Sequence, residues 1–340
     1  MKKKRYSLKD IANEFGVSST TVSFILNGKA KEKRISEELT NKVLEFTTKI
    51  NYRPNQLAQS LRTGRSKILV VMVEDIYSRL ARIIEDIAYK KGYRVLFCSN
   101  DNEDKKSREL INLFRNRQVD GYIIVPSPGI EKDVKALIND GIPVVLFDRY
   151  FPELNASHVV AANKQATYTA VNNLIQNGFR KILFVTTDMR QTQMLDRRLG
   201  YTNAIEEYGL TPDILEISFA EKDREKRKQL FRDKVKKSDD FDAIFFATNY
   251  LAVSALELLQ EEYPDYLQTK GFFSFDDDIL FKLFNPSISA ISQPLQKIGE
   301  QLMQIVLENL KSKDEENIIK KIELDCDIQY RSSSLPKHKS

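Results

Sequence analysis

The sequence is short of the residues on which most enzyme chemistry depends. Only two cysteines and two histidines occur in 340 residues. Cys98 and Cys326 stand far apart with no metal-ligand spacing around them, which argues against a disulfide framework and a cysteine-based zinc site. His158 and His338 have no partner nearby in sequence. There is no GxxxxGK phosphate loop, no GxSxG elbow and no HExxH pair, so the short signatures of nucleotide hydrolysis, acyl transfer and metalloproteolysis are missing. We expect no enzyme and no cofactor. No apolar run is long enough to span a bilayer. Polar LKDIANE follows basic Met1 to Arg5, where a secretory signal would place an apolar stretch. With so little cysteine, this points to a reducing cytoplasm.

Positive charge, by contrast, is concentrated at one end. Residues 1–67 hold 15 Lys/Arg against 6 Asp/Glu, a balance of +9, while the rest of the chain carries −4. Clustered cations release counterions from a phosphate backbone. Lys2, Lys3, Lys4, Arg5, Lys29, Lys31, Lys33 and Arg34 are the candidates for that contact.

The same segment contains Leu8 to Asn27, LKDIANEFGVSSTTVSFILN. Leu8, Ile11, Ala12 and Phe15 recur at helical spacing, and Ala12 is small enough to admit a second helix. Gly16 can end the first helix in a left-handed backbone without steric cost. Ser18 is a good N-cap for the second, whose buried face is Val22, Ile25 and Leu26. Its opposite face shows Ser19, Thr20, Ser23 and Phe24, as a recognition helix does to base edges. A third helix is expected over Ile35 to Ile50, with Leu39, Val43, Leu44, Phe46 and Ile50 apolar. Tyr52-Arg53-Pro54-Asn55 then stops the helix, and Gln56 to Leu61 is a short helix-competent run before basic Arg62 to Lys67.

The order SLKDIA, GVSSTTVS, LNGK, INYRPN and LAQSLRTG closely resembles the N-terminal region of the lactose-repressor (LacI/GalR) family of transcription regulators. The resemblance implies that Ser19, Thr20 and Ser23 read bases and Thr21 contacts phosphate, with Phe24, Asn27 and Lys29 completing the set. It implies a hinge helix over Asn55 to Leu61, in which Asn55, Gln56 and Ala58 meet DNA and Leu61 wedges into the minor groove of the operator centre. Two features depart from the family. Phe24 stands where a basic residue is frequent, and the Gly28 to Ile35 connection is long. Ser and Thr cannot make the bidentate contacts of Arg or Gln, so thymine-methyl contact, DNA shape and the hinge kink are expected to carry specificity.

Beyond residue 67 there is length for two core-bearing lobes. Short β-branched or aromatic runs at Ile68 to Val73, Tyr93 to Cys98, Tyr122 to Val125, Val144 to Phe147, Ile182 to Thr186, Ala243 to Ala247 and Phe272 to Phe275 alternate with amphipathic stretches such as Ser78 to Lys91, Glu103 to Arg117 and Gln165 to Asn177. Apolar strands alternating with helices imply parallel sheets covered on both faces. The expected fold is a helix-turn-helix head joined to an α/β periplasmic-binding-protein-like effector domain of two Rossmann-like lobes. Its divisions are 1–54 for the head, 55–67 for hinge and linker, 68–334 for effector binding and dimerisation, and 335–340 for the tail.

The resemblance extends through DGYII, IPVVLFDR, NGFRKI, Arg197 to Tyr201 and Phe275-Asp276-Asp277. It implies a cleft ligand, a sugar or sugar derivative, met by Asp148, Arg197, Asn249, Asp276 and Gln293. Such side chains suit hydroxyls. Tyr77 and Arg79 lie where the family has an Asn-Pro-Phe-Phe-like segment; Ala162-Asn163 replaces Asp-Asn, and Asn249-Tyr250 replaces Asn-Asp. Fewer carboxylates and the gain of Arg79 and Tyr250 suggest a bulkier or anionic effector.

One head covers a half-site, so a homodimer on a palindromic double-stranded operator is expected, with no membrane partner. The tail has a single leucine and none of the heptads that pair dimers. Ligand in the cleft would alter the lobe angle and thereby the hinge helices. The alternatives are a regulator whose cleft has lost small-molecule control and a sugar-binding protein with no role at genes.

Overall fold

The computed structural model describes residues 6–52, 64–74, 78–221, 223–236, 240–312 and 318–336. Two compact units divide the chain, Met1–Lys67 and Ile68–Ser340.

The first unit contains α1 (Leu8–Glu14), α2 (Ser19–Leu26) and α3 (Glu37–Lys49), each opened by a serine. The Ser7 hydroxyl accepts from the Asp10 N–H while the Asp10 carboxylate accepts from the Ser7 N–H, satisfying two otherwise unpaired donors at once. Ser18 accepts from Thr21 and Ser36 from Leu39. Gly16 turns the chain between the first two helices at φ +63°. Ile11, Ala12, Val22, Ile25, Ala30 and Val43 form the core, with Leu8, Phe15, Leu26, Leu39, Phe46 and Ile50 packed at its margin. The third helix is shorter than Ile35 to Ile50 because Ser36 caps it and Ile50 closes it. Leu44 does not join the apolar face: it is 41% exposed, because Val43 points inward and one residue turns a helix by about 100°.

The second unit holds two six-stranded sheets. The first lobe contains β1 (Ile68–Val73), β2 (Arg94–Ser99), β3 (Gly121–Ile124), β4 (Val144–Phe147), β5 (Ser157–Ala161) and β11 (Lys321–Leu324), in the order β11-β5-β4-β3-β1-β2. The second contains β6 (Ile182–Thr187), β7 (Asp213–Ile217), β8 (Ala243–Phe246), β9 (Gly271–Phe275), β10 (Ser289–Ser292) and β12 (Asp327–Gln329), in the order β12-β10-β9-β8-β6-β7. All pairings are parallel except β10 with β12.

Unbroken apolar runs form these strands because alternate residues enter cores on both faces. Leu69, Val71 and Val73 of β1 join one cluster and Val70 and Met72 the other. Leu183 and Val185 of β6 likewise part from Ile182 and Phe184. Covering helices are α4 (Ser78–Lys90), α5 (Asp104–Asn116), α6 (Glu131–Asn139), α7 (Asn163–Gln176), α8 (Thr192–Glu207), α9 (Arg224–Val235), α10 (Asn249–Glu262), α11 (Pro264–Thr269) and α12 (Leu295–Lys311).

The chain passes between lobes three times. β5 hands over to α7, which packs in the second lobe; β10 hands over to α12, whose Ile298, Leu302 and Met303 lie in the first; β11 runs directly into β12.

Gly200 permits a close helix approach. A Cβ there would stand 2.3 Å from the Lys164 carbonyl oxygen and 3.0 Å from Thr167 Cβ. α8 can therefore lie against the backbone of α7 only because residue 200 has no side chain.

Candidate functional site

In the head, the side chains singled out for DNA lie on α2 and in the turn after it. Thr20 is exposed, and Ser19, Thr21 and Ser23 are half-buried. The Thr21 hydroxyl is 2.9 Å from Ser18 Oγ, so it doubles as part of the helix cap. Asn27 Nδ2 donates to the Ser23 carbonyl at 2.7 Å and to Ser23 Oγ at 3.3 Å, which ties the last turn to a candidate reading residue. Lys29 is exposed. Phe24 is half-buried outside the head's core, and the Lys33 ammonium stands 5.4 Å from its ring centroid, within cation–π range. The turn is tight despite its length, because Ile35 N–H donates to Ala30 and Lys33 N–H to Lys29. Asn55, Gln56, Ala58 and Leu61 fall outside the described residues.

The second candidate site lies between the lobes, at the C-terminal ends of the strands, as expected for open α/β sheets. Arg197, on the second turn of α8, is 3% exposed. Its Nε donates to Asn163 Oδ1 at 2.8 Å and its Nη1 to the Ala247 carbonyl at 2.7 Å. Nη1 also lies 3.4 Å from Asp276 Oδ2, and the guanidinium carbon sits 3.6 Å from the Phe275 ring centroid. Gln293 Nε2 donates to the other Asp276 oxygen at 2.6 Å. Four predicted residues, Asn163, Arg197, Asp276 and Gln293, thus form one connected network.

Asp148 faces them from the first lobe. Burial pushes its carboxyl above the usual range; Arg149 and Arg197 oppose the shift, and Asp276 and Glu74 reinforce it. Asn249 and Tyr250 open α10. Burial of its hydroxyl end pushes the Tyr250 phenol up to about 12; the Thr248 side chain, Arg227 and Arg197 oppose the shift, and Glu74 adds to it. Its hydroxyl therefore stays protonated and can donate. Arg79 is exposed in the first turn of α4. Tyr77 lies outside the described residues.

The sequence reading missed a second layer that joins the lobes. Arg149, 2% exposed, pairs with Glu74, lies 3.6 Å from Asp148 and donates to Gln191 Oε1 at 2.8 Å. Gln191 also donates to Asn102 Oδ1 and to the Pro126 carbonyl. The Tyr150 N–H donates to Thr192 Oγ1. Asn102, Pro126, Arg149 and Tyr150 belong to the first lobe, and Gln191 and Thr192 to the second. The arginine in LFDRY was the available signal, since a charge directly after a buried strand needs a partner.

Among the described residues no group of three or more His, Cys, Asp or Glu could hold a metal. No helix among them is long and apolar enough to cross a membrane.

Comparison with known proteins gives the same two parts. Residues 7–55 match the family described as "Bacterial regulatory proteins, lacI family", and residues 171–334 match "Periplasmic binding protein-like domain". The HTH-type transcriptional regulator RegA of Clostridium saccharobutylicum is 29% identical over 329 residues, covering 94% of this chain and 97% of that protein. A LacI-family transcriptional regulator from Silicibacter pomeroyi superposes with a TM-score of 0.78 at 19% identity, over 97% of this chain and 99% of its own. A LacI-family regulator from Enterococcus faecium with bound ribose gives 0.68 at 22% identity, over 80% and 100%.

Proposed function

From the match of residues 7–55 to the lacI family of bacterial regulatory proteins and of residues 171–334 to a periplasmic-binding-protein-like domain, we propose that the chain is a homodimeric repressor of that family, set by a carbohydrate-type ligand taken up between the lobes. The observation that carries this reading is the network of Arg197, Asn163, Asp276 and Gln293, a buried fork of donors and acceptors suited to sugar hydroxyls. The ribose held by the Enterococcus faecium neighbour supports the ligand class.

DNA binding falls to α2, with Thr20, Ser23 and Phe24 toward bases and Lys29 and Lys33 toward phosphate. A two-fold operator needs two heads. Ile279 and Leu283 of the second lobe are 67% and 75% exposed, and Tyr89 of the first 64%. Such apolar exposure favours a second copy as cover. A DNA-binding regulator of this kind acts in the cytoplasm, and the ligand works by changing the lobe angle.

The test is selection of bound sequences from a random DNA pool by the full-length protein, followed by operator titrations with a pentose and hexose panel. The expected result is a palindromic consensus with a flexible central step, and a sugar that changes operator affinity by the same factor as operator changes sugar affinity. Salt-sensitive binding without a consensus would overturn sequence-specific regulation. A consensus indifferent to every sugar would overturn the ligand class.

A further inference from the structure

A small, partly open recess lies in the second lobe, with Tyr250 at the start of α10 in its wall. Val185, Ile217 and Phe231 form its apolar floor, and Arg227, Lys228, Tyr250 and Ser254 supply its polar groups, with Lys228 already held by Glu257 and Glu261. Val185 and Ile217 come from the C-terminal ends of β6 and β7, and Tyr250 and Ser254 lie one turn apart on α10.

Arg227 is the anomaly. The other cations of α9 each have a carboxylate: Arg224 pairs with Glu257, Lys226 with Glu221, Lys228 with Glu257 and Glu261, Arg232 with Glu262, and Lys234 with Asp213. Among the described residues Arg227 has no ion pair, and its Nε is buried without a hydrogen-bond acceptor. A buried N–H of a charged group is costly to leave unpaired. A recess with an apolar floor and one uncommitted guanidinium is complementary to an anion, and Arg offers a planar fork for phosphate or carboxylate. Tyr250 adds a protonated hydroxyl. It lines the recess and feels the charges of Arg227, Arg197 and Glu74 alike.

We propose that the cleft ligand carries an anionic group, a phosphate or carboxylate on a sugar, and that this group docks in the recess against Arg227, Tyr250 and Ser254. The sugar hydroxyls then meet Arg197 and Asp276. This inference rests on the reading that the cleft takes a carbohydrate-type ligand.

The experiment titrates full-length protein with inorganic phosphate and with acetate by calorimetry, then with ribose and ribose 5-phosphate, for wild type, Arg227→Gln and Arg227→Lys. At least one anion binds wild type saturably, Arg227→Gln weakens it roughly tenfold or more, the loss of one charge-assisted contact, and Arg227→Lys recovers most of it. Phosphate alone marks a phosphorylated sugar, and acetate alone a sugar acid. No saturable binding of either ion, or equal binding by Arg227→Gln, overturns the subsite. If ribose 5-phosphate binds no better than ribose and with no dependence on Arg227, the subsite falls and the sugar cleft stands. Should the anions bind through Arg227 while no sugar affects operator affinity, the subsite stands and the sugar reading falls.

Discussion

Gln191 and Asn102 meet amide to amide across the two lobes, each donating one hydrogen bond to the other, at 3.1 and 3.2 Å. Gln191 also receives a hydrogen bond from Arg149, which is itself tied to Glu74. One side chain of the second lobe thus holds three elements of the first.

Replacing it should loosen the clasp. Gln191→Leu is expected to cost about 1–3 kcal/mol, because it leaves partly buried partners unpaired, and to raise the radius of gyration of the ligand-free protein in small-angle scattering. An unchanged radius would mean that the three chain crossings alone fix the lobe angle.

Gly200 tests how Arg197 is placed. The two residues share a face of α8, three positions apart, and a methyl at 200 must push against the Lys164 carbonyl. Gly200→Ala should cost about 1–3 kcal/mol by overpacking and weaken ligand binding, since Arg197 and Asn163 are drawn apart. Calorimetric unfolding and ligand titration read both effects.

Phe24 separates reading from folding. Its ring is outside the head's core, so Phe24→Ala should leave the head's helical signal intact while changing the selected operator sequence. Ile25→Ala, one residue along and 2% exposed, should cost about 2–5 kcal/mol and unfold the head. An unchanged consensus for Phe24→Ala would remove Phe24 from the reading surface.

His158 gives a pH dependence of definite sign. Burial lowers its value below 6.5; the backbone contact with Ala156 opposes this and Lys321 adds to it. As pH falls through 6.5 the unfolded chain takes up the proton before the folded one, so this contribution to stability is present above 6.5 and lost below it. Thermal melts between pH 8 and 5 should show a steeper acid decline for wild type than for His158→Gln. Parallel curves would contradict it.

The head was legible because its signals are local: serines before helices, a glycine between them, and apolar residues at helical spacing. The two lobes were legible from β1, β4 and β8, whose runs are apolar throughout, and from β6, apolar up to Thr186. β5, β7, β10, β11 and β12 escaped notice. DILEI and KIEL mix charge with apolar residues at sheet margins, and SHVVA and SAIS are too short and polar-flanked to stand out. Arg197, Asp276 and Gln293 came from resemblance alone. Glu74, Asn102, Gln191 and Arg227 were beyond reach of a linear reading. Gln191 and Asn102 are 89 residues apart, and the isolation of Arg227 exists only once its neighbours on α9 have found their carboxylates.

Asp148 and Asp276 both take a left-handed backbone, with φ of +69° and +67°, which aspartate tolerates better than most residues. Each follows the strand that stands third in its sheet, β4 in one and β9 in the other. The chain therefore carries the same half-cleft twice, turned to face its own copy. A ligand held by that frame alone could lie either way round with nearly equal energy. Its orientation has to come from where the duplication is broken: Arg149 and Arg197 are each already tied to a carboxylate, Glu74 in one half and Asp276 in the other, whereas Arg227, present in one half alone, has no ion pair among the described residues. The asymmetry between the halves, more than their likeness, decides which end of a molecule enters first.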